Sequence, residues 1–98
     1  MTDYQFHPEA ETEHLDTVAY YESQQRGLGS LYLSEFEDVM EQVCRFPMRY
    51  PVERKPDVRR VRLKRFPFTV LFRESDGGIQ VLAVAHHRRR PAYWLRRI

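Results

Sequence analysis

A single change of rhythm divides the chain. Up to Phe46 the apolar residues recur at helical spacing; beyond Pro47 they alternate. Leu28, Tyr32, Phe36, Val39, Val43 and Phe46 follow one another at steps of four, four, three, four and three, which is one face of a helix about five turns long. Pro47 stops that helix, because its ring blocks the preceding turn and it has no N–H to donate. Before it, Asp3-Tyr4-Gln5-Phe6 alternates polar and aromatic residues and reads as a short strand. Pro8 then opens a first helix over about 8–26, with Glu9, Glu11 and Glu13 at the positive end of its dipole. Leu15, Val18, Ala19 and Tyr21 make its expected apolar stripe, and Gly27 its end. The link Gly27-Leu28-Gly29-Ser30 is short, with Gly29 or Ser30 as the expected cap of the second helix. Two amphipathic helices joined this tightly form an antiparallel hairpin.

Residues 47–58 hold Pro47, Pro51 and Pro56 and read as a loop. Then Val61 and Leu63 alternate with Arg60, Arg62 and Lys64, and Phe68, Val70 and Phe72 alternate with Thr69, Leu71 and Arg73. Each is a strand with two unlike faces. Ser75-Asp76-Gly77-Gly78 supplies a hairpin turn, and the nearly continuous apolar run Ile79–Ala85 predicts a central strand covered on both sides. The expected architecture is α+β, in the order β-α-α-β-β-β. The N-terminal helical hairpin packs on an antiparallel sheet, with the first strand added at one side. Phe36, Val43, Phe68, Val70, Val81 and Val84 should lie in its core.

The chain's 98 residues suit one domain spanning 1–98. No apolar run approaches the roughly 18–20 residues of a membrane span. Met1-Thr2-Asp3-Tyr4 lacks the basic and apolar regions of a secretion signal. Cys44, the sole cysteine, rules out an internal disulfide or a cysteine-rich zinc site and is most simply a core residue. These features point to a cytoplasmic protein.

The net charge of +2 conceals a division. Residues 1–49 carry three basic and ten acidic side chains; residues 50–98 carry thirteen basic and four acidic ones. All but two of the sixteen basic residues are arginine, whose planar fork suits phosphates and carboxylates. So basic a half calls for a polyanion or an acidic protein as partner.

The candidate site follows from that charge. On one strand face Arg60, Arg62 and Lys64 would stand about 6.5–7 Å apart. Arg73 and the Arg88-Arg89-Arg90 cluster would extend the stripe, with His86, Tyr93 and Trp94 as titratable or stacking groups. Such a set could bind RNA, or cleave it without a metal if an imidazole or phenol moved the proton and arginine stabilised the phosphorane. Against this, Tyr93 and Trp94 can fold back onto the core, and for Trp94 this is the favoured reading. No metal site is expected: His86 and His87 are adjacent, so on a strand they point to opposite faces, and His7 and His14 lack a third partner. No cofactor motif is present.

Two stretches carry a resemblance. Val58-Arg59-Arg60-Val61-Arg62-Leu63-Lys64-Arg65-Phe66-Pro67-Phe68-Thr69-Val70-Leu71-Phe72-Arg73 resembles the central strands of the RelE/ParE superfamily of type II toxins. Val81-Leu82-Ala83-Val84-Ala85-His86-His87-Arg88-Arg89-Arg90-Pro91-Ala92-Tyr93-Trp94 is similar to its closing strand and C-terminal signature. Tyr20-Tyr21, Gly27-Leu28-Gly29 and Phe46-Pro47 in the helical hairpin agree. The resemblance implies a cytoplasmic toxin neutralised by a cognate antitoxin in a hetero-oligomer, the antitoxin's contacting segment being acidic. The ending His86–Trp94 is nearer to ParE-like members, which bind DNA gyrase. Target contact would then fall to Arg60, Arg62, Lys64, Arg88, Arg89, Arg90 and Tyr93. The alternative is a RelE-like mRNA interferase acting on the ribosome. In that case Arg65, Arg73, His86, Arg89 and Tyr93 would carry the chemistry, although the lysine-rich pattern of that type is missing.

Overall fold

The structure is a computed structural model that describes residues 3–98. Strand β1 (Tyr4–Phe6) leads into helices α1 (Pro8–Gln24) and α2 (Leu28–Arg45), followed by β2 (Val52–Arg54), β3 (Val58–Arg62), β4 (Phe68–Ser75) and β5 (Gly78–His86). The sheet order is β1-β5-β4-β3-β2. The expected α+β order is present, with two departures. The sheet is mixed rather than wholly antiparallel, because β1 runs parallel to β5. The loop 47–58 contributes a short edge strand, β2, paired with β3.

Local chemistry sets the helix ends. Pro8 occupies the first turn of α1, and the His7 Nδ1 accepts from the Glu9 N–H at 3.1 Å. Neither Gly29 nor Ser30 caps α2. Its N-cap is Gly27, and the Glu22 carboxylate from α1 accepts the N–H groups of Gly27 and Gly29. A Cβ on Gly29 would stand 2.7 Å from the Val18 carbonyl, so the hairpin closes this tightly only on glycine. At the other hairpin, Asp76 and Gly77 both take positive φ (50° and 79°), a primed two-residue turn matching the strand twist.

The helices cover one sheet face. All six expected core residues are buried there, around Tyr32, Phe36, Met40 and Phe72. The α1 stripe differs in part from expectation: Val18 and Tyr21 pack against this core, but Ala19 is exposed. Ala10, His14 and Thr17 face the core, whereas Leu15 is 59% exposed. Phe46, at the end of the α2 face, is also largely exposed, and Met40 is buried in the α2 seam. Cys44 is half-buried against the core and donates to the Asp3 carbonyl.

The other face of the sheet has its own small core of Val58, Leu71, Leu82, Ala83 and Trp94. A bulge makes it possible. Phe72 pairs with Val81 and Leu71 with Ala83, so Leu82 is an extra residue in β5. Ile79 and Val81 face the helices before it and Val84 after it, while Leu82 and Ala83 join the outer cluster. The apolar run of β5 is thus covered on both sides, the outer cover being the C-terminal segment.

Candidate functional site

Beyond β5 the chain turns back over the outer sheet face and roofs one side of an open groove of about 320 Å³. Arg60 and Arg62 enter it from β3, and Arg89 and Arg90 from the turn after β5. Leu71, Ala85 and Trp94 give it an apolar floor, and His86, His87 and Tyr93 complete one wall. Its only carboxylate is Glu53, which pairs with Arg60 at 3.1 Å. The structure thus gathers Arg60, Arg62, His86, Arg89, Arg90 and Tyr93 from distant points of the sequence.

Other expected site residues lie elsewhere. β3 ends at Arg62, so Lys64 does not continue the stripe. Leu63 turns into the helix-side core, and the Glu35 carboxylate on α2 accepts the N–H groups of Lys64 and Arg65. The Arg65 guanidinium also reaches Glu35, at 3.3 Å. Lys64 and Arg65 therefore border a different cleft, of about 530 Å³, between α2 and β3, whose apolar wall is Val39, Tyr50 and Val61. Arg62 borders both clefts. Arg73 is hydrogen-bonded to Gln80 at 3.1 Å, and Arg88 is exposed; neither lines the groove. His87 lies beyond the end of β5, so the two histidines are not opposite faces of one strand.

Tyr93 is held on several sides. Its hydroxyl donates to Glu13 at 2.7 Å, the Arg89 guanidinium carbon lies 3.8 Å from its ring centroid, and that of Arg97 lies 5.1 Å away. Burial, together with the hydrogen bond to Glu13 and that residue's charge, pushes the phenol above its ordinary range. A proton-accepting phenolate is the form this surrounding disfavours most. Trp94 is 4% exposed and belongs to the outer core, not to a stacking surface. His86 lies edge-on to Phe68 at 5.0 Å, and its Nδ1 accepts the Arg88 N–H.

Behind Tyr93 stands a network that residue spacing did not reveal. β1 pairs with β5 only as far as Val81, which leaves the β5 edge open beyond it. Glu13 accepts the Val84 N–H, while Arg97 donates to the Leu82 carbonyl and grips Glu13 with both terminal nitrogens, at 3.0 and 2.9 Å. Burial would raise the Glu13 carboxyl. The hydrogen bonds from Arg97, Val84 and Tyr93 and the charge of Arg97 outweigh it and hold the carboxyl below its ordinary value. Among the described residues no group of three potential ligands is placed to hold a metal ion.

Two comparisons bear on this arrangement. One chain of the solved structure "Chromosomal ParDE TA system from P. aeruginosa" superposes with a TM-score of 0.61 at 22% identity, covering 88% of this chain and 96% of that one; this likeness shows the fold. The family model described as "ParE toxin of type II toxin-antitoxin system, parDE" matches residues 4–91. The chain belongs to the ParE toxin family. Comparison with curated proteins returns no match. The matched span takes in every strand and both helices of this ParE-type toxin and ends at Pro91, just before the Tyr93–Arg97 segment that closes the groove. No helix among its described residues is long and apolar enough to cross a membrane.

Proposed function

We propose that this ParE-type toxin acts in the cytoplasm by binding DNA gyrase through the outer groove, with Arg60, Arg62, Arg89 and Arg90 as its principal contacts and Tyr93 as their support. The observation that carries this reading is the state of Tyr93. A nuclease on this surface needs a proton carrier beside the arginines, and the phenol is instead committed to Glu13. Apart from His86, what remains is a cationic and partly apolar surface, suited to binding. Lys64 and Arg88 contribute at most to its outer field.

A cognate antitoxin neutralises the toxin in a hetero-oligomeric complex. The cleft between α2 and β3 fits an amphipathic segment, with apolar residues on Val39, Tyr50 and Val61 and acidic ones toward Arg62 and Lys64, away from Asp38 and the Glu35–Arg65 pair on the α2 side. Arg62 borders both clefts, so a partner held there also screens one edge of the groove.

His86 sustains the second reading, a ribosome-dependent mRNA interferase, because its imidazole stands beside arginines able to stabilise a phosphorane. Adding purified toxin separately to a gyrase supercoiling assay and to a coupled translation assay decides between the two. Inhibition of supercoiling with translation untouched is expected; the reverse result establishes the interferase.

A further inference from the structure

If the outer groove is the target-binding surface, as proposed above, its lining also selects among polyanions. We infer that the groove takes an acidic, extended segment of the target protein and not a nucleic-acid strand. Four guanidiniums line it; Arg60 is paired with Glu53 and Arg89 lies 3.9 Å from Glu13, which leaves the charges of Arg62 and Arg90 without a carboxylate among the lining residues. The excess positive charge would suit phosphates and carboxylates equally, so the aromatic residues decide.

A single strand is held largely by stacking its bases on exposed rings, as well as by its phosphates. In this groove the rings are in use. The Trp94 side chain is buried in the outer core, and Tyr93 lies against two guanidiniums with its hydroxyl on Glu13. His86 packs edge-on against Phe68, which leaves His87 as the one uncommitted ring among the lining residues. The floor, with Leu71 and Trp94 buried beneath half-buried Ala85, is a small apolar surface and not the broad platform a nucleotide strand would seek. An extended peptide meets both demands. Alternate side chains point to opposite sides, so aliphatic groups can seat on the floor while carboxylates reach the arginine forks.

The test uses the intact toxin and a labelled, end-capped octapeptide of alternating Glu and Leu. It is compared with a Glu-Ser octapeptide and with oligo(dT) and oligo(U) of the same charge. Binding is measured at low salt and at 0.15 M, where the screening length is about 8 Å. The Glu-Leu peptide should bind best and keep measurable affinity at the higher salt. The double variant Arg62→Glu/Arg90→Glu should weaken it by about tenfold or more. Arg26→Glu/Arg45→Glu changes net charge equally at exposed sites outside the groove and should leave it within about threefold. An unchanged urea midpoint in both variants shows that the fold is intact.

Three outcomes overturn the inference: equal losses in the two double variants, no peptide binding at all, or groove-dependent binding of an oligonucleotide that exceeds the peptide's. The supercoiling assay on the same variants keeps the readings apart. Peptide binding that depends on the groove, with gyrase inhibition unaffected by Arg62→Glu/Arg90→Glu, would leave this inference standing and remove the gyrase proposal.

Discussion

Tyr93 and His14 are both titratable and both out of play, for different reasons. Removing the Tyr93 hydroxyl deletes one of the hydrogen bonds to Glu13 but leaves the ring beneath Arg89. Tyr93→Phe should therefore cost about 1–2 kcal/mol of stability and keep most of the toxicity. Growth arrest lost in a folded Tyr93→Phe toxin with normal antitoxin affinity would favour the interferase. His14 lies between Phe6 and Phe36, with its Nδ1 3.1 Å from the Tyr32 hydroxyl, and burial lowers its pKa to about 4. The native state refuses a proton that the unfolded chain accepts below its ordinary pKa of 6.5. Stability is thus fully present above about pH 6.5 and falls toward pH 4, by up to about 3 kcal/mol. Glu13, whose carboxyl is held low, adds a further loss in the same direction as the pH drops below the ordinary carboxylate range. Urea titrations across this window should show the slope above pH 4 flattened in His14→Phe. The burial of His14 was not legible in the sequence: a histidine among Glu13, Leu15 and Asp16 looks like a surface residue until the sheet is laid under it.

One short connection and the C-terminal tail give the elements their arrangement. Glu35 stands in the middle of an amphipathic helix, yet its side chain is only 9% exposed because it receives the backbone of the β3–β4 loop. Glu35→Ala leaves those N–H groups without their acceptor. It should lower the unfolding free energy by about 1–3 kcal/mol, read as a shift of the urea midpoint at constant slope. Lys64 and Arg65 take their direction from this contact, which is why a strand-like alternation stops serving as a guide after Arg62. The C-terminal tail matters as much to the outer face. Trp94→Ala should cost about 3–5 kcal/mol and, in variants that remain folded, loosen the wall of the groove, seen as weaker target inhibition. A result within about 0.5 kcal/mol of wild type would mean that the tail does not cover the sheet in solution.

At the scale of the whole molecule, charge and layer coincide. The acidic half of the sequence forms both helices, and the basic half forms strands β2 to β5 and the tail. Such a separation should speed encounter with an acidic partner more than it tightens the final complex. Stopped-flow association with the antitoxin should slow by about tenfold or more from low to high salt, with a smaller change in dissociation. Equal association rates at the two salt concentrations would remove the electrostatic part of the mechanism.

What the sequence determined by itself is whatever depends on near neighbours: the helical period ended by Pro47, the Asp76-Gly77 turn, the alternation of β4, and the faces that bury Phe36 and Phe68. Each rests on spacing within a few residues, so the pattern can be read directly. The tertiary structure decided what depends on where a chain end or an edge falls. The parallel pairing of β1, the bulge at Leu82, and the meeting of Glu13 with Tyr93 and Arg97 join residues separated by as many as 84 positions. They answer to the open edge of β5, whose N–H and C=O groups need partners once they are shielded from water. No local pattern records that need, because it arises only when the strands have assembled.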